Sequence, residues 1–162
     1  KRRQSYLLGS LGNIYLHKKD LDKAWDKYSQ SLALMAELGD TLGEARGYSN
    51  LGNVRLLQEN YEDARVQFEA SLELMEQLEN RPGIAQQCES LGDIHLKLEN
   101  LPEAEVYFSR VIALYEAMQD PKGLQQAQDK LVYIMGQPKY IDRRQKELLA
   151  ELKKPEMEKN GP

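Results

Sequence analysis

The stretch Ala45-Arg46-Gly47-Tyr48-Ser49-Asn50-Leu51-Gly52-Asn53 decides the fold. The apolar spacing around it is helical, yet a glycine stands in its middle, where it costs a helix about 1 kcal/mol relative to alanine. Forty residues earlier and forty later the same pair returns, as Leu11-Gly12 and Leu91-Gly92. Sliding the sequence by 40 then aligns further identical columns: Leu16/Leu56/Leu96, Ala24/Ala64/Ala104, Leu34/Leu74/Leu114 and Gly43/Gly83/Gly123. Self-similarity at a fixed period is the mark of a repeat architecture. A helix-weakening residue kept in all three copies implies that another helix packs too close there for a side chain. Ala24, Ala64 and Ala104 supply the matching small sites, beside the aromatic Tyr28, Phe68 and Phe108.

Within the 40-residue repeat lies a period of 20. Asp20, Asp40, Asn60, Asn80, Asn100 and Asp120 fall at equal intervals, and Asp and Asn rank among the best helix N-caps. Pro102 and Pro121 sit where a first helical turn begins, a position that tolerates a missing N–H. Thr41 and Glu44 have capping-box spacing, so that boundary is open by one residue. The spacing predicts helices near 2–18, 21–38, 42–58, 61–78, 82–98, 101–118 and 121–136. Leu21, Ala24, Tyr28, Leu32, Met35 and Leu38 step by three and four, as one helical face requires.

Leu-Gly in the first helix of each unit, followed by Ala and Tyr or Phe in the second, resembles the tetratricopeptide repeat (TPR). The 40-residue period is similar to the variety in Pins-type scaffolds, kinesin light chains and bacterial TPR regulators. The resemblance implies an all-α, right-handed solenoid of antiparallel helical hairpins. About three and a half units cover 1–136, near 1–40, 41–80, 81–120 and a partial 121–136. The pattern then fails. Val132 replaces the close-packing glycine, Arg144 stands where alanine is required, and Gly136 and Pro138 mark a stop and a turn. A polar capping helix is expected within 137–154, with Ile141, Leu148 and Leu152 on one side, before a loose tail over 155–162. At the other end, Leu7, Leu8 and Leu11 leave an apolar edge. Trp25 either belongs to that edge or lies flat over its own hairpin.

The resemblance also places the first helix of each unit on the inner, concave side. Helical spacing puts Arg46, Asn50, Asn53 and Leu57 on one stripe. Its counterparts are Tyr6, Ser10, Asn13 and His17 in the first unit, and Gln86, Ser90, Asp93 and Lys97 in the third; Ser49 and Glu89 flank them. Amide and guanidinium groups so arranged suit the backbone or acidic side chains of a partner peptide or helix. In Pins-type scaffolds such arginine and asparagine sites contact acidic segments; Arg46, Asn13 and Asn53 match, whereas Tyr6, Gln86 and Asp93 do not. The bland alternative is that Asn13 and Asn53 bridge adjacent hairpins. A chaperone-type carboxylate clamp is not expected, because Gly9, Gln86 and Ser90 occupy its cationic sites.

Composition narrows the function classes. The 162 residues carry 22 Lys and Arg against 26 Asp and Glu, net −4, so the chain is no general nucleic-acid binder. Charge is segregated: +4 over 1–30, −11 over 31–120 and +3 over 121–162. No apolar run approaches a membrane span. One cysteine and two histidines give no disulfide and poor metal chemistry. Cys88 and His95 read as core residues, and no phosphate loop, nucleophile elbow or dinucleotide fingerprint is present. The expected protein is therefore not an enzyme, takes no cofactor or metal, and contacts neither nucleic acid nor membrane. Without a signal-peptide pattern it is expected in the cytoplasm, and its opening on Lys1 reads as a piece of a longer protein. Three functions fit: an adaptor whose inner face captures another protein, an architectural segment that self-associates through the N-terminal edge, or a regulatory sensor domain.

Overall fold

The computed structural model describes residues 1–152, as eight helices: α1 (Arg2–His17), α2 (Leu21–Glu37), α3 (Thr41–Leu57), α4 (Tyr61–Gln77), α5 (Arg81–Lys97), α6 (Leu101–Met118), α7 (Pro121–Met135) and α8 (Pro138–Leu152). Consecutive helices pack in chain order from α1 to α7, which makes an all-helical solenoid of hairpins. The tail expected over 155–162, and the end of the capping helix at 153–154, lie outside the described residues.

Capping residues set the boundaries. Asp20, Asp40, Asn60, Asn80 and Asp120 each accept a hydrogen bond from the backbone N–H three residues on. Asp40 does so from Gly43 at 2.9 Å, which settles the open boundary in favour of Asp40 rather than Thr41. Asn100 holds its N-cap position without a side-chain bond. Asp40→Ala is therefore expected to cost about 1 kcal/mol, while Asn100→Ala leaves stability close to wild type. Urea titrations of the two variants, followed by circular dichroism, measure the difference.

The turn before each cap uses a left-handed residue: Lys19, Gly39, Glu59, Glu79, Glu99 and Gln119 all have φ between 50° and 63°. That residue reverses the chain and lets the next helix fold back. The turn after α7 has none. Lys139, in register with Lys19, Glu59 and Glu99, is already inside α8, and α8 makes little contact with α7.

Two sets of glycines explain the close packing. A Cβ at Gly12, Gly52 or Gly92 would fall 2.5–2.9 Å from the ring of Tyr28, Phe68 or Phe108, within one hairpin. The second set works between hairpins: Gly43 and Gly83 receive Met35 and Met75, and Gly123 receives Tyr115. Ser31 and Ser71 do more than leave space. Their hydroxyls donate to the carbonyls of Ser5 and Ala45, both at 2.8 Å, and tie second helix to first. Trp25 packs in the cluster that joins its own hairpin, through Ala24 and Tyr28, to Leu51 and Val54 of the next. It is half-buried against the second hairpin, with the Arg55 guanidinium 3.8 Å above its ring.

Cys88 is fully buried among these contacts, and burial pushes its thiol from 9.0 up to about 11. Burial and the neighbouring Glu89 raise Tyr115 to about 12. An acid held protonated in the fold but released when unfolded makes stability fall as pH rises through that interval. The urea midpoint is thus expected to drop between pH 9 and 11, and Cys88 to resist alkylation below that range unless the chain unfolds.

Candidate functional site

The first helices α1, α3, α5 and α7 line three hollows. One of about 490 Å³ lies between α5 and α7 and includes Glu89, Asp93 and Lys130. The other two differ more in size. The smaller, about 230 Å³, lies between α1 and α3 and includes Ser10, Asn13, Arg46 and Asn50. The larger, about 990 Å³, lies where the C-terminal ends of α3, α5 and α7 meet the starts of α4, α6 and α8. Leu57, Leu96 and Tyr133 give it apolar walls, and Lys97, Lys130 and Lys139 stand around them.

Of the expected site residues, Asn13, Arg46 and Asn50 line the smaller hollow and Leu57, Asp93 and Lys97 the larger, whereas His17, Ser49, Asn53, Gln86 and Glu89 line neither of these two. Arg46 is exposed at the smaller hollow beside half-buried Asn50. Asn13 lines it too, but its Oδ1 accepts a 2.6 Å bond from the Tyr28 hydroxyl. Asn13 is thus tied to the second helix of its own hairpin rather than to an adjacent one. His17 is exposed at the end of α1, Ser49 is half-buried and Asn53 is exposed on α3. Leu57 and Lys97 are exposed at the larger hollow, and Gln86 is exposed on α5.

Two acidic candidates are already engaged. Glu89 accepts a 3.1 Å bond from the Tyr115 hydroxyl, and burial raises its carboxyl above the usual range. Asp93 pairs with Lys130 at 2.6 Å. Among the described residues Arg46 and Lys97 form no ion pair. The stripe therefore offers two uncommitted cations, while one of its acids is neutralised.

Lys130, Tyr133 and Gln137 were not among the expected residues, although they line the larger hollow. The signal was available. They stand 40 residues after Ser90, Asp93 and Lys97, so the stripe continues into the fourth unit even though the core pattern there fails. Lys139, paired with Glu99, reaches the hollow only because α8 starts early, which periodicity did not indicate.

A tetratricopeptide repeat family model matches residues 3–77 and 43–117. The chain belongs to the tetratricopeptide repeat family. Proteins of this family typically act as non-enzymatic scaffolds for protein–protein interaction. Among solved structures the TPR array is similar to the apo form of RapI, with TM-score 0.77 and 16% identity over 94% of this chain and 53% of that one. It is also similar to aspartyl phosphate phosphatase F of Bacillus subtilis, at 0.79 and 19% over 91% and 40%. A Rap protein complexed with competence and sporulation factor gives 0.71 and 21% over 88% and 40%. At such identities the likeness is one of fold. The chain spans about half the length of the first of these proteins and less of the other two. No curated protein sequence matches it.

No described helix of the TPR array is long and apolar enough to cross a membrane. Among the described residues no group of three His, Cys, Asp or Glu is placed to hold a metal ion. His95 is buried and stacks on Tyr107 with ring centroids 5.5 Å apart, and burial lowers its pKa. That is the setting of a core residue.

Proposed function

We propose that the chain is a non-catalytic adaptor that takes a peptide or helical segment of another protein along the concave face formed by its first helices. The observation that carries this reading is the pair of unengaged cations on the first helices, Arg46 at the smaller hollow and Lys97 with exposed Leu57 at the larger one. An acidic partner segment with one large apolar side chain fits that set. The side chain enters between Leu57 and Tyr133, and flanking carboxylates meet the cations by charge-assisted hydrogen bonds. Asn50, Asn53 and Gln86 have free amide groups for the partner backbone. His17, Ser49, Glu89 and Asp93 border the path, with Asp93 already neutralised by Lys130. The Rap complex with its factor is a precedent for a TPR-like array in a complex. The cytoplasm, where proteins of this family commonly work, is the proposed compartment.

A displayed peptide library selected on the chain tests this. Selected peptides are expected to be acidic with an apolar anchor, and Arg46→Ala with Asn53→Ala to weaken them by tenfold or more, since the charge-assisted bond lost with Arg46 alone is worth about 1.5–3 kcal/mol. Both side chains are exposed, so the melting transition is expected to stay put. Peptides that bind the double variant equally well would refute the placement. A second reading, as an architectural segment, is favoured by the uncovered faces at the two ends of the array.

A further inference from the structure

Helix α8 is in sequence register with the second helices of the hairpins, yet it stands away from its place beside α7. The two helices make little contact, and both carry apolar side chains in the open: Val132 and Met135 on α7, Ile141 and Leu148 on α8. In the earlier hairpins the same positions are covered. Ile141 stands 40 residues after Leu101, which is half-buried, and Met135 stands 40 after His95, which is buried. Leu148 follows Phe68 and Phe108, 1% and 2% exposed, and Val132 follows Gly52 and Gly92, on which those rings lie. These two columns change together. Where the earlier hairpins set a ring against glycine, the fourth pairs leucine with valine, a trade of volume across the seam that cores tolerate. In this structure Val132 and Leu148 are instead 69% and 51% exposed.

Three features hold α8 off. Lys139 is helical, although its counterparts Lys19, Glu59 and Glu99 take the left-handed turn that sends the next helix back. Lys19, at φ 58°, shows that lysine can make that turn. Next, the first turn of α8 is pinned to the start of α6. Tyr140 is buried beside Ala104, Phe108 and Ile134 and donates to Glu105 at 2.9 Å, while Lys139 pairs with Glu99. The third feature is Arg144. It stands where Ala24, Ala64 and Ala104 are fully buried. A folded-back α8 carries the guanidinium, now exposed and paired with Glu147 at 2.9 Å, into that seam. Taking a cation out of water costs more than its stem gains by packing.

We infer that α8 is a strap with a second position, folded back along α7 to complete the fourth hairpin, and that Arg144 keeps it in the open one. Closing bends the chain at Gly136 and Gln137, unwinds the first turn of α8 and gives Lys139 the left-handed turn of its counterparts. Leu148 then meets Val132. Pro138 and Lys139 leave the wall of the larger hollow, so the position of the strap sets the shape of that hollow. A single residue that favours one position over the other is enough to shift such an equilibrium. The strap does not rest on the peptide reading, and either stands if the other fails.

Double electron–electron resonance between spin labels on Lys122→Cys and Ala150→Cys tests this on the whole chain, with no ligand added. Both positions are exposed, one at the start of α7 and the other near the end of α8, and Cys88 is buried away from the label. Folding back brings these two helix ends side by side. The labelled chain with Arg144 in place is expected to show the long distance. Arg144→Ala, a change to a good helix former at an exposed site, is expected to move the ratio toward the short distance by tenfold or more. Val132→Asp added to Arg144→Ala puts a charge under Leu148 and is expected to restore the long distance. An unchanged distribution in Arg144→Ala overturns the inference. So does a short distance that survives Val132→Asp, which would place α8 on some other surface. A broad spread overturns it too, since α8 would then have frayed rather than docked, and circular dichroism would record the lost helix.

Discussion

Phe68→Ala lowers the unfolding free energy by about 3–5 kcal/mol, the usual cost of emptying a buried aromatic site. Phe68 is 1% exposed and belongs to two interfaces at once. Its ring fills the space left by Gly52 inside the second hairpin, and it sits in the core cluster with Cys88 and Leu91 of the third. The stability of a solenoid is close to a sum of unit terms and nearest-neighbour terms, so a residue serving both weakens two of them. Against a total of about 5–15 kcal/mol for a domain, such a loss is decisive. The wild type and variant midpoints in urea, with the slope checked for constancy, measure it. A loss near 1 kcal/mol would mean that the hairpins collapse around the gap and that the ring is not the hub of the central units.

The array could be read from the sequence because its strongest signals are local and repeated. A cap such as Asp40 acts on a backbone N–H three residues away, and Leu51 with Gly52 marks its own helix, so neither needs knowledge of the fold. What escaped reading depends on pairs set by geometry. The Gly43, Gly83 and Gly123 column is plain as a column, but its partners Met35, Met75 and Tyr115 emerge only once hairpins stack. Ser31 and Ser71 pass for small residues until their hydroxyls are seen to reach Ser5 and Ala45. Asn13 looks like any surface amide, yet the Tyr28 hydroxyl claims it. The candidate site divides in the same way. Helical spacing put Arg46, Asn53 and Leu57 on one stripe, whereas the engagement of Asp93 by Lys130 follows from how far α7 approaches α5. At α8 the failing pattern foretold a departure but not its form, because the missing left-handed turn residue is a backbone property that lysine at 139 does not announce.

Glycine exchanges at two first-helix positions are expected to move stability in opposite directions. A Cβ built on Gly9 meets only the Ser31 hydroxyl, at 3.6 Å, an ordinary contact. Gly9→Ala therefore keeps the helix gain of up to about 1 kcal/mol. At Gly52 the same carbon would lie 2.9 Å from two atoms of the Phe68 ring and 3.0 Å from a third. That ring is held on its other side by the core and has nowhere to turn, so Gly52→Val forces the hairpin apart and costs about 2–3 kcal/mol, as overpacking does. Shrinking the ring separates this cause from helix propensity. In a Phe68→Leu background the added side chain finds room, and the penalty for Gly52→Val is expected to fall by 1 kcal/mol or more, a coupling typical of residues in contact. Equal penalties in both backgrounds would show that the glycine is kept for its backbone and not for the approach of the second helix, and the small-against-large account of these hairpins would fail with it.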